Sequence, residues 1–434
     1  MVRDVTEPVE LRVRALAHGG DAIAHPEHAE TRETWFVEGA IPGELVRVEA
    51  LQATAKRKRG RVVEVVEASP ERVTPPCPLA ESCGGCQWQH INPEAQAEHK
   101  AEIVRGQLRR LPVEVKRVIP SPAHVGYRRR ARLHYEVNDG KISLGFFGAR
   151  SRNVVDVNAC LVLHPALDAA FQRLRELVDV LPERGEVHGL TDGQRVVLGL
   201  GGVAPSSARV AAAEALLDDV LVGVTFRGGR SRATAGVAAL AIDGNDGRLP
   251  IAATPFVFAQ AQAAQNEALV RHVAKATASE GHKVLELFCG GGNLTRALAE
   301  GAAGVWAVDD DREAIGRLRE MIQVTDLKVR ARRGASETEL QRYARQGRQF
   351  DVVVVDPPRA GLGKESSALV AKVARSRVVY VSCDPSTLAR DLEVLLSQGF
   401  RAVDVRVFDM MPMTAEVEIV AVLNRDREPA AVED

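Results

Sequence analysis

In the stretch VSCDPSTLARD, Cys383 follows an apolar run that reads as a strand and precedes Asp-Pro, a helix-start signal. A helix N-terminus lowers a thiol's pKa and the adjoining loop admits substrate, so Cys383 is a candidate nucleophile held as a thiolate. For a lone thiol a buried packing cysteine is the bland alternative. Its address at the carboxyl end of a strand favours the nucleophile. Further on, DMMPMTAEVEIV supplies Glu416 and Glu418 at the start of the last apolar run. Alternate residues of a strand share a face, so both carboxylates are predicted on one side, and either could serve as a general base. Three of the six cysteines, Cys77, Cys83 and Cys86, crowd into CPLAESCGGCQWQH. So few cysteines in so long a chain make no disulfide scaffold, and clustered thiols in a reducing compartment are more often metal ligands or catalytic groups.

The glycine-rich stretch LELFCGGGNLT, residues 285 to 295, joins a strand pattern to a helix pattern. Such a turn lets backbone approach a ligand closely, and it serves nucleotides, dinucleotides and S-adenosylmethionine alike. Asp309 ends the next strand, where a carboxylate accepts hydrogen bonds from a ribose, and Glu286 precedes the turn in place of a Walker lysine after it. The third strand of the series ends in VDPPRAG, residues 355 to 361; two prolines cannot continue a ladder, so Asp356 is predicted beside a stiff, exposed corner. Amino-methyltransferases of nucleic acids carry Asn-Pro-Pro-aromatic there, and Arg359 in the fourth place suits amine methylation less well. A thiol near a methyl donor has a definite use. Carbon 5 of uracil is a poor nucleophile until a thiolate adds to carbon 6, and a base must later remove the carbon-5 proton before the thiol can leave.

These groups need elements to position them. At 434 residues, 45% hydrophobic and 26% charged, the chain is expected to form two or three soluble domains. Its start is charged from the third residue with no apolar signal region, and no run is long enough for a bilayer, so a cytoplasmic monomer with no membrane partner is expected. Net charge is only −1, yet KRKRGR (Lys56 to Arg61) and YRRRAR (Tyr127 to Arg132) concentrate cations as a nucleic-acid contact would. A solvated face accounts equally well for either run alone. Short strand patterns with glycine turns predict an OB-like β-barrel over residues 1–70, and the prolines of SPERVTPPCP mark a boundary. Residues 71–249 open with the cysteine cluster and mix strand with helix as an α+β domain; HPALDAAFQRLRELVDVL reads as one helix, and 185 to 249 carries no motif. Over 250–434 the strands KVLELF, AGVWAVD, FDVVVVD, SRVVYVS, AVDVRVFDM and VEIVAVL alternate mostly with helices. That pattern predicts an α/β, Rossmann-like domain whose ligand lies beyond the carboxyl ends of a mainly parallel sheet. The tail NRDREPAAVED reads as frayed.

Taken together, FCGGGN, DPPRAG, SCDPSTLARD and DMMPMTAEVE occur in an order and spacing that resemble the bacterial RNA uracil-5-methyltransferase family, specifically its iron-sulfur branch acting on 23S ribosomal RNA. The likeness covers nearly the whole chain. It implies a class I S-adenosylmethionine-dependent methyltransferase domain, with Cys383 as the nucleophile toward carbon 6 and Glu418 as the base of a closing pattern read as Pro412, Thr414 and Glu418. The family usually has His two residues before that base, where this chain has Glu416. Cofactor contacts are implied for Gln260, Phe288, Gly290, Asn293, Asp309 and Asp356, with Asp309 replacing a more common Glu, and a uracil contact for Phe258. A further family Asn, expected near Ala335, is not apparent. The resemblance also implies a structural 4Fe-4S cluster on Cys77, Cys83, Cys86 and Cys160, which leaves Cys289 as a packing residue. The barrel resembles the RNA-binding TRAM module, with KRKRGR on phosphate and Arg128 and Arg132 on the RNA strand. RNA is thus the expected partner, 23S rRNA ahead of the tRNA T-loop, with the target uridine extruded from its stack. A non-catalytic RNA-binding assembly factor is the alternative from another class.

Overall fold

The computed structural model describes residues 7–27, 33–53, 58–244 and 247–426. Alternation along Val9–Leu16 sends Leu11 and Val13 inward and leaves Arg14 exposed. With Ala22–Pro26, Trp35–Glu38, Leu45–Ala53 and Lys58–Glu67 this strand closes a five-stranded barrel. Gly60 permits the tightest strand approach, since a Cβ there would stand 2.1 Å from Val48 Cγ1. The described part of the basic run pairs with acids on the barrel surface: Lys58 with Glu33 at 2.7 Å and Arg59 with Asp21, while Arg61 lies 3.5 Å from Glu49. Lys56 and Arg57 lie outside the described residues.

The middle of the chain builds a seven-stranded sheet in the order Ser231–Gly236, Leu221–Gly228, Val196–Gly201, Arg184–Thr191, Arg130–Asn138, Lys141–Phe147, Val154–Asp156. Only Val196–Gly201 and Leu221–Gly228 run parallel. Four of its strands come from 184–236, almost wholly the stretch without a motif. The predicted single helix is Pro165–Arg173 followed by a 3-10 helix, Leu174–Val180, and its Leu167, Phe171, Leu174 and Leu177 fill the core on one sheet face.

The third unit is an eight-stranded sheet in the order Val329–Arg333, Gly304–Asp309, Lys283–Leu287, Phe350–Val355, Ala374–Ser382, Glu418–Arg425, Phe400–Phe408, Arg117–Ile119. The first five run parallel, and Glu418–Arg425 turns antiparallel between Ala374–Ser382 and Phe400–Phe408. Central strands such as Phe350–Val355 read FDVVVV because both faces are covered by apolar cores. Two strands escape sequence reasoning. Val329–Arg333 (VRARR) and Arg117–Ile119 are the sheet's two edges, so the Asp-Pro-Pro corner follows the fourth strand of this series in the chain and not the third. The helix Pro93–Leu108 buries Ala101, Val104 and Leu108 against this sheet, and Arg117–Ile119 pairs with Phe400–Phe408. Residues 93–119 therefore build onto the catalytic sheet although they precede the middle sheet in sequence. Among the described residues no helix is long and apolar enough to cross a membrane.

Candidate active site

The turn after Lys283–Leu287 is the first wall of the site. Phe288, Gly290 and Gly292 all have positive φ (61°, 54° and 97°), and a Cβ on Gly292 would lie 2.8 Å from Leu318 Cδ1. The turn is tied down by Asp309, whose carboxylate accepts from Gly290 N (2.8 Å) and Asp311 N (2.9 Å). Asn293 is locked in a reciprocal amide pair with the buried Asn266, at 2.8 and 2.9 Å. Cys289 is buried in the core beneath the turn. Three carboxyl groups gather here. Burial, reinforced by Asp356 and Asp309, pushes Glu286 up to about 8, and burial with the charge of Asp309 pushes Asp356 up to about 7. Glu286 Oε2 is buried without a hydrogen-bond partner, at a place suited to a hydroxyl-bearing ligand.

Cys383 sits between Ala374–Ser382 and the helix Pro385–Ser397, as its sequence suggests. Its surroundings oppose the thiolate that the sequence predicts. Burial, then the neighbouring Glu418, raise the thiol to about 12, with Asp356 adding to the rise and Arg359 opposing it. The helix N-terminus gives little relief because Asp384 caps it: the Asp384 side chain accepts from Ser386 N and Thr387 N, both at 2.9 Å. The amide dipoles that would favour a thiolate already serve a carboxylate.

The two candidate bases separate by environment. Glu418 begins the strand Glu418–Arg425, is 7% exposed, and is held well above the usual carboxylate range by burial, then by Asp356 and Glu416. Glu416 precedes that strand and is committed to an ion pair with Arg359. Residues 409–416, which lead to the base, are anchored from far away in the chain. Lys100 Nζ donates to Asp409 Oδ1 (2.5 Å) and Met411 O (2.9 Å), and Gln96 Oε1 accepts from Met413 N (2.7 Å). Tyr127 Oη donates to Pro412 O at 2.9 Å, and Trp88 N to Met413 O at 3.0 Å. Sequence reasoning missed Lys100; its one signal was a lysine on the buried face of a helix, between Ala97 and Val104.

Phe258 is 69% exposed, with the Arg130 guanidinium 5.6 Å from its ring centroid. Gln260 is buried, and its carbonyl accepts from Arg129 Nε (2.9 Å), whose guanidinium also grips Asp243 at 2.7 and 2.9 Å. Arg132 is exposed, 3.7 Å from Glu186. Arg128 lines a different pocket, the one walled by Cys77, Cys83, Cys86 and Cys160. Three thiols from one segment and a fourth from residue 160, converging on one pocket, are a soft donor set. Burial raises the thiols of Cys83, Cys86 (to about 11) and Cys160. No three His, Cys, Asp or Glu among the described residues stand close enough together to hold a single ion. The pocket adjoins the base-bearing loop, since Cys86 and Cys160 pack with Tyr127, Val162 and Met413.

A mainly parallel sheet, a left-handed glycine turn, a carboxylate ending the second strand and an Asp-Pro-Pro corner make up the Rossmann-like fold of a methyltransferase domain. Residues 242–426 match the family model described as tRNA (uracil-5-)-methyltransferase. The chain is 35% identical to the 23S rRNA (uracil(1939)-C(5))-methyltransferase RlmD of Alkalilimnicola ehrlichii, over 97% of both chains. It is 33% identical to the RlmD of Chromohalobacter salexigens, over 98% of this chain and 91% of that one. Its fold superposes on the Pyrococcus abyssi tRNA (uracil-54, C5)-methyltransferase, solved with S-adenosyl-L-homocysteine, with a TM-score of 0.73 and 24% identity over 95% and 99% of the chains. The chain belongs to the RNA uracil-5-methyltransferase family.

Proposed function

We propose that this enzyme methylates carbon 5 of a uridine in 23S rRNA through a covalent bond between Cys383 and carbon 6. The observation that carries the reading is the placement of Cys383 beside the buried Glu418: Ser382 pairs with Ile419 on the adjacent strand, and Glu418 and Asp356 both raise the Cys383 thiol. The Cys383 thiol passes its proton to water as sulfur bonds to carbon 6, and the carbon 5–carbon 6 π pair becomes an enolate. S-adenosylmethionine, when bound, supplies an electrophilic methyl group; Asp309, Asp356, Glu286, Phe288, Gly290, Asn293 and Gln260 are the residues offered to it. Glu418, kept basic by burial and two neighbouring carboxylates, then takes the carbon-5 proton. The carbon–sulfur bond breaks, the double bond returns and Cys383 is released. Phe258 offers an exposed ring for the extruded base.

The choice of 23S rRNA follows the relatives at 33–35% identity. A tRNA T-loop uridine is the second reading, favoured by the description of the matching family model. Cys77, Cys83, Cys86 and Cys160 would hold a 4Fe-4S cluster as a fully thiolate-ligated structural group. The barrel, residues 1–70, is assigned to RNA binding, residues 71–249 to a cluster-bearing domain apart from 93–119, and residues 250–434, joined by 93–119, to catalysis. Mapping 5-methyluridine at single-nucleotide resolution in cells with and without the gene tests the substrate. Loss at a 23S position is the expected result; loss confined to the T-loop would overturn the choice of RNA, and no loss anywhere would favour the non-catalytic scaffold.

A further inference from the structure

The barrel reaches the nucleophile. Between its first two strands, residues 17–21 turn through Gly19 and Gly20 at φ 96° and 99°. Several units grip this loop. Trp88 Nε1 donates to Gly20 O at 3.1 Å, Arg150 Nη2 donates to Asp21 Oδ1 at 2.9 Å, and a Cβ on Gly20 would stand 3.1 Å from Ala415 Cβ. From the loop His18 Nε2 lies 3.0 Å from Asp384 Oδ2, the neighbour of Cys383. A carboxylate only accepts, so the ring donates through Nε2, and its Nδ1 is buried without a competing partner. The other Asp384 oxygen caps the helix. Ser382 Oγ closes the same turn, donating to Asp384 O at 3.0 Å and accepting from Asp384 N at 3.2 Å. Those contacts lie within residues 382–387, Thr387 Oγ1 adds a bond to Arg359 O at 3.0 Å within the same sheet domain, and His18 ties the turn to the barrel.

We propose that His18 is a positioning residue for methyl transfer: through Asp384 it fixes the turn that carries Cys383, so the docked barrel aligns the nucleophile as well as meeting RNA. This rests on the reading of Cys383 as the nucleophile. The barrel thereby belongs to the catalytic scaffold. A shift of a fraction of an ångström in that turn displaces sulfur from carbon 6, which costs rate and leaves ground-state binding alone.

The test uses the full-length enzyme with His18→Ala, His18→Gln, Asp384→Asn and the double variant His18→Ala/Asp384→Asn. Asp384→Asn keeps a capping oxygen and presents a donor to His18. Single-turnover methyl transfer to a 23S rRNA fragment is measured beside equilibrium binding of the same RNA and of S-adenosylmethionine. His18→Ala and Asp384→Asn should each slow transfer by about tenfold or more with both affinities within about twofold of wild type. His18→Gln, whose amide can donate to the same oxygen, should recover most of the rate, and the double variant should be no slower than the slower single one. Unchanged rates, additive losses, or a loss that follows RNA affinity and resists the Gln rescue would overturn the proposal. Should the wild-type enzyme itself transfer no methyl group to uridine, the parent reading fails and takes this one with it; a fully active wild type with an unaffected His18→Ala overturns the positioning role alone.

Discussion

The Arg359 guanidinium, from the Asp-Pro-Pro corner, is ion-paired with Glu416, two residues before the buried Glu418. Glu416 raises the Glu418 carboxyl, while Arg359 lowers the Cys383 thiol against the larger effect of burial. One ion pair thus bears on both proposed catalytic groups.

Replacing Glu416 with Gln removes a negative charge that raises Glu418, so the Glu418 pKa falls. The base must be deprotonated to act, so the acid limb of the pH–rate profile should move to lower pH. An upward shift, or none, in single-turnover rates across pH would contradict this assignment.

Cys383→Ala should abolish turnover and leave S-adenosylmethionine affinity within about threefold of wild type, because the thiol acts on the base and not on the cofactor. Glu418→Gln should still form the adduct and methylate it but fail to release product, so RNA should stay bound to the enzyme in denaturing gels. Prompt release would remove Glu418 from the role of essential base.

Lys100 and Asp409 are 0% and 1% exposed, and Asp409 Oδ2 has no further partner. Lys100→Met should therefore destabilise the fold by about 3–5 kcal/mol, since it strands a buried carboxylate. Converting Asp409 to Leu as well should restore much of that. Denaturant melts of the two variants decide it, and a mild single-variant loss would mean that the pair contributes little.

Glu286 has a folded-state carboxyl near 8, against about 4.3 when unfolded. From the unfolded value up to the folded one the native state binds the extra proton, so this group makes stability fall as pH rises. Each unit of the difference amounts to about 1.4 kcal/mol at most. Glu286→Gln should flatten the fall in melting temperature between about pH 5 and 8; an unchanged slope would place the pH dependence elsewhere.

If the four-cysteine pocket holds a 4Fe-4S cluster, anaerobically purified enzyme should carry about four irons and four sulfides per chain with a broad visible absorption. Cys86→Ser or Cys160→Ser should lose both. Because Cys86 and Cys160 pack on Met413, protection of the 409–416 amides from hydrogen exchange should fall with them. Retention of the full iron content in either variant would exclude that cysteine as a ligand.

Motifs whose function demands a local backbone shape are legible in the amino-acid sequence. The glycine turn at 288–292, the proline corner at 357–358 and the cysteine at 383 each announce a strand end, and they meet at the carboxyl edge of one sheet. Properties set by distant partners are not legible there. The Cys383 thiol depends on Glu418 and on an Asp384 cap already occupied, and the base-bearing loop depends on Gln96, Lys100 and Tyr127, about 300 residues earlier. Val329–Arg333 escapes notice because an edge strand with three arginines lacks the apolar continuity of its neighbours. The strands of 184–236 are interrupted by glycines, and their register is set by pairing across the sheet, which no local pattern displays.

The central claim is a covalent bond from Cys383 to carbon 6. Its most direct measurement is mass spectrometry of the peptide–RNA conjugate formed with S-adenosylmethionine and a 23S rRNA fragment carrying 5-fluorouridine, whose fluorine cannot be removed as a proton. The mechanism predicts one conjugate on Cys383 carrying a methylated fluorouracil. Methylation of unmodified RNA by Cys383→Ala, or a conjugate on any other residue, would contradict it.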